Sequence, residues 1–185
     1  MDSACQGFHT AVFGALCACL DLNPDSAEAV RLIHEAYAEP ENAPRPPRNR
    51  DAVYWTVLRD PAADPVPTVY AAEASGAGGN THVVYTTLKV QLIIVCYGPA
   101  SEAYALRIRA GLFTDGPGSP RRILRKAGIY PVPDPPQPAL LHEEEGSLWR
   151  KRTDLTVQLR VREKQSFDSG GSIASAPSVI LSKSL

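Results

Sequence analysis

Cysteine and histidine are the residue types in this chain that are typical of a structural zinc site. The 185-residue sequence contains four of each: Cys5, Cys17, Cys19, Cys96, His9, His34, His82 and His142. No two cysteines form a C-x-x-C pair, and the histidines lack the spacing of zinc ligands. A chain of this length and low cysteine content does not depend on disulfides for its stability. The sequence therefore predicts buried free thiols, no metal site and no cofactor.

Two other segments have the composition of a catalytic or phosphate-binding site. His142 precedes three glutamates at residues 143–145, and residues 75–80 form a glycine-rich loop. The acidic run is expected on a proline-flanked loop, where it is more simply a solvated charge cluster than an acid–base pair. The glycine-rich loop has no following Gly-Lys-Ser/Thr and precedes a strand pattern, so a hairpin tip is favoured over a phosphate site. We therefore predict that the chain is not an enzyme.

The charge balance restricts contacts with nucleic acid to local surfaces. Nineteen basic and twenty acidic residues give a net charge of −1, so the whole chain does not attract polyanions or anionic lipid. The exception is a basic run at residues 120–127 with four cations, namely Arg121, Arg122, Arg125 and Lys126. It is interpreted either as a solvated face whose Ile123 and Leu124 touch the core, or as a surface for acidic protein or DNA phosphate.

The residue pattern predicts neither a membrane-spanning segment nor an export signal. No basic segment precedes an apolar stretch at the N-terminus, and the apolar run at residues 11–20 is too short to cross a bilayer. We expect a soluble product of the cytoplasm with no membrane partner.

The first elements are read from apolar periodicity. Residues 7–20 predict a helix with one apolar face, which Asn23-Pro24 ends. Residues 27–37 fit a helical stripe, and a strand through residues 30–36 remains possible; the sequence slightly favours the helix.

The next segment is rich in proline. Residues 39–50 predict extended backbone, either a rigid connector or a PxxP ligand. Residues 52–59 predict a strand that is apolar on both faces.

The longest pattern is the alternation at residues 81–97. One face is apolar throughout, and the other is polar in its first half and apolar at Ile93 and Val95. Such a strand exceeds about 50 Å at about 3.3 Å per residue. We therefore predict a long β-hairpin that projects as an arm, with Tyr85 and Lys89 as candidate subunit-interface residues.

Two further elements follow. A helix is predicted at residues 100–113 with a stripe that packs on the sheet, formed by Ala103, Leu106, Ala110 and Phe113. A half-buried strand is predicted at residues 153–162.

Trp149 stands before that strand. The sequence favours a core tryptophan, and the alternative is an interface anchor that it forms with Arg150 and Arg152.

The last segment, residues 164–185, is rich in serine and glycine. Its apolar cluster is Val179, Ile180 and Leu181, which is too little to fold alone. We expect a domain at residues 1–163 and a C-terminal arm at 164–185 that is disordered or ordered on a neighbouring subunit, with the apolar cluster as a further candidate interface.

Five of these segments together resemble a known family. They are VQLIIVCYGP at 90–99, AYALRIR at 103–109, AGI at 127–129, WRKRTDLTV at 149–157, and NAPRPP at 42–47 before a strand. The pattern is similar to that of the neck or tail terminator proteins of tailed bacteriophages, and it covers about residues 40–162.

The resemblance implies an α+β fold, with a mostly antiparallel sheet and two to three packed helices. It also implies a homohexameric ring that caps the tail tube, ends its polymerisation and joins the tail to the head-neck connector. The implied partners are the tail tube protein, the head-completion or connector protein, and DNA that passes the lumen without sequence recognition. The implied location is the virion tail or neck, after assembly in the host cytoplasm, and residues 30–37 would be a strand.

A second class of protein fits the same elements. A small soluble α+β module that binds a ligand or regulates a partner could be built from these strands and helices as a monomer. Self-assembly distinguishes the two classes.

Overall fold

The chain folds into one sheet with helices on one of its faces. The computed structural model describes residues 3–36, 50–59, 66–74, 80–145 and 148–168, with side chains placed at 7–36, 50–58, 85–144 and 149–163. The elements in these ranges are α1 (Ser3–Cys19), α2 (Ala27–Leu32), β1 (Ile33–Glu35), β2 (Ala52–Arg59), β3 (Val66–Ala74), β4 (Asn80–Tyr97), α3 (Ser101–Phe113), α4 (Pro120–Lys126), β5 (Ile129–Pro131), β6 (Ala139–Glu145) and β7 (Leu148–Asp168). The predicted α+β class is confirmed.

The sheet is built around β4 and β7, which pair in antiparallel register over residues 81–97 and 152–168. The strand order is β1-β2-β4-β7-β5, with β3 on β4 and β6 on β7. β2 pairs with residues 90–97 of β4, and β3 pairs with residues 80–87. The sheet therefore has a body beside β2 and a three-stranded arm formed by β3, the first half of β4 and the end of β7. The predicted long hairpin is confirmed, although residues 75–79 of its predicted tip at 75–80 lie outside the described residues.

No bounds were predicted for β3, the first strand of this hairpin, and Pro67 explains why. A proline lacks the N–H that a central strand needs, so it argues against a strand unless it lies on an edge or at a bulge. Both conditions hold here, because β3 is paired on one side and its register shifts between Pro67 and Val69.

The alternation in the two long strands decides which face the helices cover. Val90, Leu92, Ile94 and Cys96 of β4 are buried, and so are the alternate residues 153–161 of β7. This covered face packs against the helices. On the opposite face of the sheet, called the open face below, Ile93 and Val95 of β4 are half-buried, so the apolar second half of β4 is fully buried on the covered face alone.

α1 confirms the predicted first helix, and its apolar side packs on α3 and α4. Within the described residues, no helix is long and apolar enough to cross a membrane.

α3 was predicted correctly as a helix, but its buried face was predicted wrongly. The residues that face the sheet are Ser101, Ala105, Ile108 and Leu112. The predicted stripe is exposed at Ala103, Leu106 and Ala110, and Phe113 is half-buried.

The rotation of α3 is set by polar contacts that periodicity does not show. The buried Thr153 hydroxyl donates to Ser101 Oγ at 3.1 Å, and Asp51 Oδ1 accepts the N–H of Ala100 at 2.9 Å. Gly98 allows this turn, because its φ of +98° and its approach to Asp51 leave no room for a side chain.

The ambiguous segment at residues 27–37 contains both predicted structures. Ser26 caps α2 by accepting the N–H of Ala29 at 3.1 Å. The chain then enters β1, which pairs in parallel with β2. The helix is therefore correct for Ala27–Leu32 and the strand for Ile33–Glu35. The proline-rich connector lies outside the described residues, apart from Arg50.

β7 is longer than the predicted strand at both ends. It begins at Leu148 and continues to Asp168, across the boundary expected at residues 163/164. Residues 169–185 lie outside the described residues.

Candidate assembly surfaces

Three of the four cysteines are buried free thiols, as predicted. Cys17, Cys19 and Cys96 lie in the core, and burial raises the pKa of both Cys19 and Cys96 to about 12. Such thiols stay protonated at neutral pH and are poor nucleophiles. No group of three or more His, Cys, Asp or Glu side chains within the described residues could hold a metal ion.

The acidic run lies on strand β6 rather than on a loop. His142, Glu143 and Glu144 are exposed, which agrees with the predicted solvated cluster. Glu143 is opposite Arg150 in the β6–β7 hairpin, and its Oε2 is 3.5 Å from a guanidinium nitrogen of Arg152. These contacts describe a structural ion pair within a hairpin.

The open face of the β6–β7 hairpin carries two of the predicted interface arginines. The Arg150 guanidinium lies 4.5 Å above the Tyr97 ring, and that of Arg152 lies 5.9 Å from it. Arg152 also donates two hydrogen bonds to Asp154, at 2.7 and 2.8 Å. The bond to Asp154 is the main cause that raises the pKa of Arg152, and burial raises the pKa of Tyr97. The two arginines are therefore held in place before any partner binds.

Trp149 is on the surface, and the prediction of a core tryptophan was wrong. Its side chain is 69% exposed. The reason is that β4 ends at Tyr97, which pairs with Arg152, so the start of β7 extends past β4 and, among the described strands, pairs with β6 alone. Leu140 and Leu141 on β6 are also exposed. The hairpin thus presents apolar side chains at the end of the body, with Leu140 and Leu141 level with the last residues of β4 and Trp149 beyond them.

The basic run forms α4, and its two apolar residues touch the core as the first interpretation predicted. Leu124 is fully buried and Ile123 packs against the core. Asp115 holds Arg125 at 3.0 Å and lies 3.8 Å from Arg121.

The other two cations of α4, Arg122 and Lys126, do not pair with Asp115. Arg122 and Lys126 form no ion pair among the described side chains. With Arg125 they line a depression of about 710 Å³ beside Asp115, Gly116 and Pro117. Of the four predicted cations, Arg121 and Arg125 therefore lie beside Asp115, and Arg122 and Lys126 remain without an ion pair among the described side chains.

A second basic region lies on the open face of the arm. Lys89 is directly opposite Arg160, and the Arg162 guanidinium lies 3.9 Å above the ring of Tyr85. Lys89, Arg160 and Arg162 are exposed and form no ion pair among the described side chains. Like charges directly opposite each other in a sheet are destabilising, so this surface favours an anion nearby.

The sequence predicted Tyr85 and Lys89 as interface residues but not the neighbouring Arg160 and Arg162. The signal was the polar side of the predicted strand at residues 153–162, where Arg160 and Arg162 are two of the outward residues. Only the register with β4 shows that they adjoin Lys89. Because the residues flanking Arg160 face the core, this region and α4 lie on opposite sides of the sheet.

The structure thus groups the predicted interface residues in two places. Tyr85 and Lys89 lie on the arm, and Trp149, Arg150 and Arg152 lie on the hairpin at the other end of β7. The third predicted group, Val179, Ile180 and Leu181, lies outside the described residues.

Comparison with known proteins identifies a family for this chain. The comparison with curated proteins gives no match. A family model described as phage neck terminator protein matches residues 11–181, which include every element from α2 to β7. The chain therefore belongs to the phage neck terminator protein family, a family of structural virion proteins.

Proposed function

We propose that this chain forms a ring that caps the phage tail tube, ends its polymerisation and joins the tail to the head-neck connector. The observation that carries the proposal is the family match over residues 11–181. The ring is a homo-oligomer, with six subunits as the expected number, and its role is structural rather than enzymatic. It assembles in the host cytoplasm and remains in the virion at the tail or neck.

The two projections support a ring. The arm and the β6–β7 hairpin lie at opposite ends of β7 and have different side chains. Contacts between two different patches are heterologous, and they close into a ring when the rotation between subunits allows it. In this proposal Tyr85 and Lys89 serve one contact, and Trp149, Arg150 and Arg152 serve another.

The proposed partners are the tail tube protein, the head-completion or connector protein, and DNA in the lumen. DNA contact without sequence recognition uses cations against phosphates. Of the predicted DNA contacts, Arg122 and Lys126 are the stronger pair, because Asp115 already pairs with Arg125 and lies 3.8 Å from Arg121.

The test is a tube-capping assay. Tail tube protein is allowed to polymerise with and without this chain, and tube lengths and tips are measured by negative-stain electron microscopy. The proposal predicts short tubes that end in a ring. A chain that leaves tube length unchanged and shows no density at the tips would contradict it and would favour the monomeric ligand-binding module.

A paired variant sharpens the assay. Trp149→Ala is expected to weaken capping because it removes an exposed apolar anchor. Val30→Ala is the matched control, since Val30 is 62% exposed on α2, away from both projections.

A further inference from the structure

We propose that residues 179–181 of one subunit add as a short β-strand to the free edge of β6 in the neighbouring subunit. This inference rests on the proposed ring, because it names a contact that joins one subunit to the next.

The receiving edge belongs to β6. Among the described strands, β6 pairs only with β7, so its outer edge presents backbone N–H and C=O groups without a strand partner. Leu140 and Leu141 are 47% and 45% exposed. Consecutive residues of a strand point to opposite faces, so apolar surface is available on both sides of this edge. An exposed apolar edge is a template for an added strand.

The receiving part of β6 is its first three residues, Ala139, Leu140 and Leu141, called the acceptor segment below. Beyond it the strand is polar, with His142, Glu143 and Glu144 exposed. Charged side chains on an edge discourage strand addition. The acceptor segment is therefore an apolar stretch of three residues, which sets the length and character of its partner.

The occupant is the apolar cluster near the C-terminus. Val179, Ile180 and Leu181 match the acceptor segment in length, and β-branched residues favour strands. The family match continues past the end of β7 at Asp168 and reaches residue 181. The segment that carries the apolar cluster is therefore part of the family pattern.

The reach of the chain places this contact between subunits. The 12 residues from 169 to 180 span at most about 43 Å when fully extended. Leu140 pairs with Thr153, which lies 15 residues before Asp168 on β7, or about 50 Å along the strand. Because β7 carries the chain away from its own β6, Ile180 reaches the acceptor segment of another copy rather than its own.

The test is a disulfide between the centres of the two segments. Leu140→Cys and Ile180→Cys are combined in one chain, together with Cys5→Ser; the native thiols at Cys17, Cys19 and Cys96 are buried. The central positions stay opposite each other whether the added strand is parallel or antiparallel. Mild oxidation is expected to give a ladder of covalent oligomers up to the size of the ring on a non-reducing gel.

Two controls define the contact. Mixing the single variant Leu140→Cys with the single variant Ile180→Cys is expected to give covalent dimers and nothing larger, because each chain then has one reactive end. Val30→Cys combined with Ile180→Cys is expected to give no ladder, since Val30 is similarly exposed but lies on α2.

The outcomes separate this contact from the proposed function. Three results would overturn the contact: no cross-link at all, a disulfide within one chain that leaves the mass unchanged, or an equally strong ladder from the Val30→Cys control. If wild-type rings still cap tubes in those cases, the proposed function stands without this contact. A ladder in a protein that never caps tubes supports the contact and contradicts the proposed function.

Discussion

The two faces of the β4–β7 pair have opposite compositions. On the covered face, Leu92, Ile94, Leu155 and Val157 are fully buried under the helices. On the open face of the arm, Lys89 and Arg160 are exposed and lie directly opposite each other. In the same two strands, the covered face therefore serves stability and the open face is available for interaction. Changes on the covered face should unfold the protein, and changes on the open face should alter what it binds.

The largest effect is expected from a cavity in the covered face. Leu92→Ala removes a fully buried side chain from β4. Its cost is about 2–5 kcal/mol in the free energy of unfolding, from lost burial and the remaining cavity. Urea denaturation measures it, and Arg160→Ala is the control, with a change within about 0.5 kcal/mol. Similar losses from both variants would contradict the division between the faces.

A smaller effect is expected from the hydrogen bond that orients α3. Thr153→Val keeps the shape of the buried side chain but leaves Ser101 Oγ without its partner. The expected loss is about 1–3 kcal/mol, because a buried polar group without a hydrogen bond remains desolvated. Thr156→Val is the control, since Thr156 is exposed on the open face of the same strand. Equal stability of the two variants in thermal melts would show that this bond does not orient α3.

The buried thiols predict a dependence of stability on alkaline pH. Burial raises the pKa of Cys96 from the ordinary value of 9.0 to about 12. Below about pH 8 the thiol is neutral in both states and stability is unaffected. Between pH 9 and 12 the unfolded chain loses this proton first, so the free energy of unfolding falls, by about 1 kcal/mol at pH 10.

Urea titrations at pH 8 and pH 10 measure this fall. Cys96→Ala should reduce the difference between the two pH values, although it lowers stability at both. An unchanged difference would contradict the assigned role of the Cys96 thiol.

The smallest effect on stability is expected at the most exposed aromatic residue. Trp149→Ala should change the free energy of unfolding by about 0.5 kcal/mol or less, because Trp149 is 69% exposed. It should nevertheless lower the oligomer mass measured by light scattering. A large loss of stability without a change of mass would assign Trp149 to folding rather than assembly.

The sequence predicted the strands whose residues alternate between apolar and polar. It failed for features that depend on contacts between distant parts of the chain. It located β4 and the middle of β7 because one face of each is continuously apolar. It assigned α3 to the wrong side because apolar residues occur around the helix and the Ser101–Thr153 contact joins distant parts of the chain. It did not place Arg160 and Arg162 beside Lys89, because the register between two strands cannot be read from the sequence of either strand alone.

The exposure of Trp149 could not be predicted from the sequence for the same reason. A tryptophan beside a strongly apolar strand is ordinarily a core residue. Its exposure follows from the end of β4 at Tyr97, and strand ends are set by pairing between distant segments. The sequence could therefore indicate which residues are candidates for an interface, but it could not show which of them lie next to each other.

In the proposed function, the exposed surfaces of this fold serve self-assembly in a phage neck. The most direct measurement is the mass of the purified protein by light scattering over a range of concentrations, with negative-stain imaging of the same samples, alone and with tail tube protein. We predict rings of about six subunits, formed either in solution or on the tube tip. A protein that stays monomeric in both conditions would contradict the account.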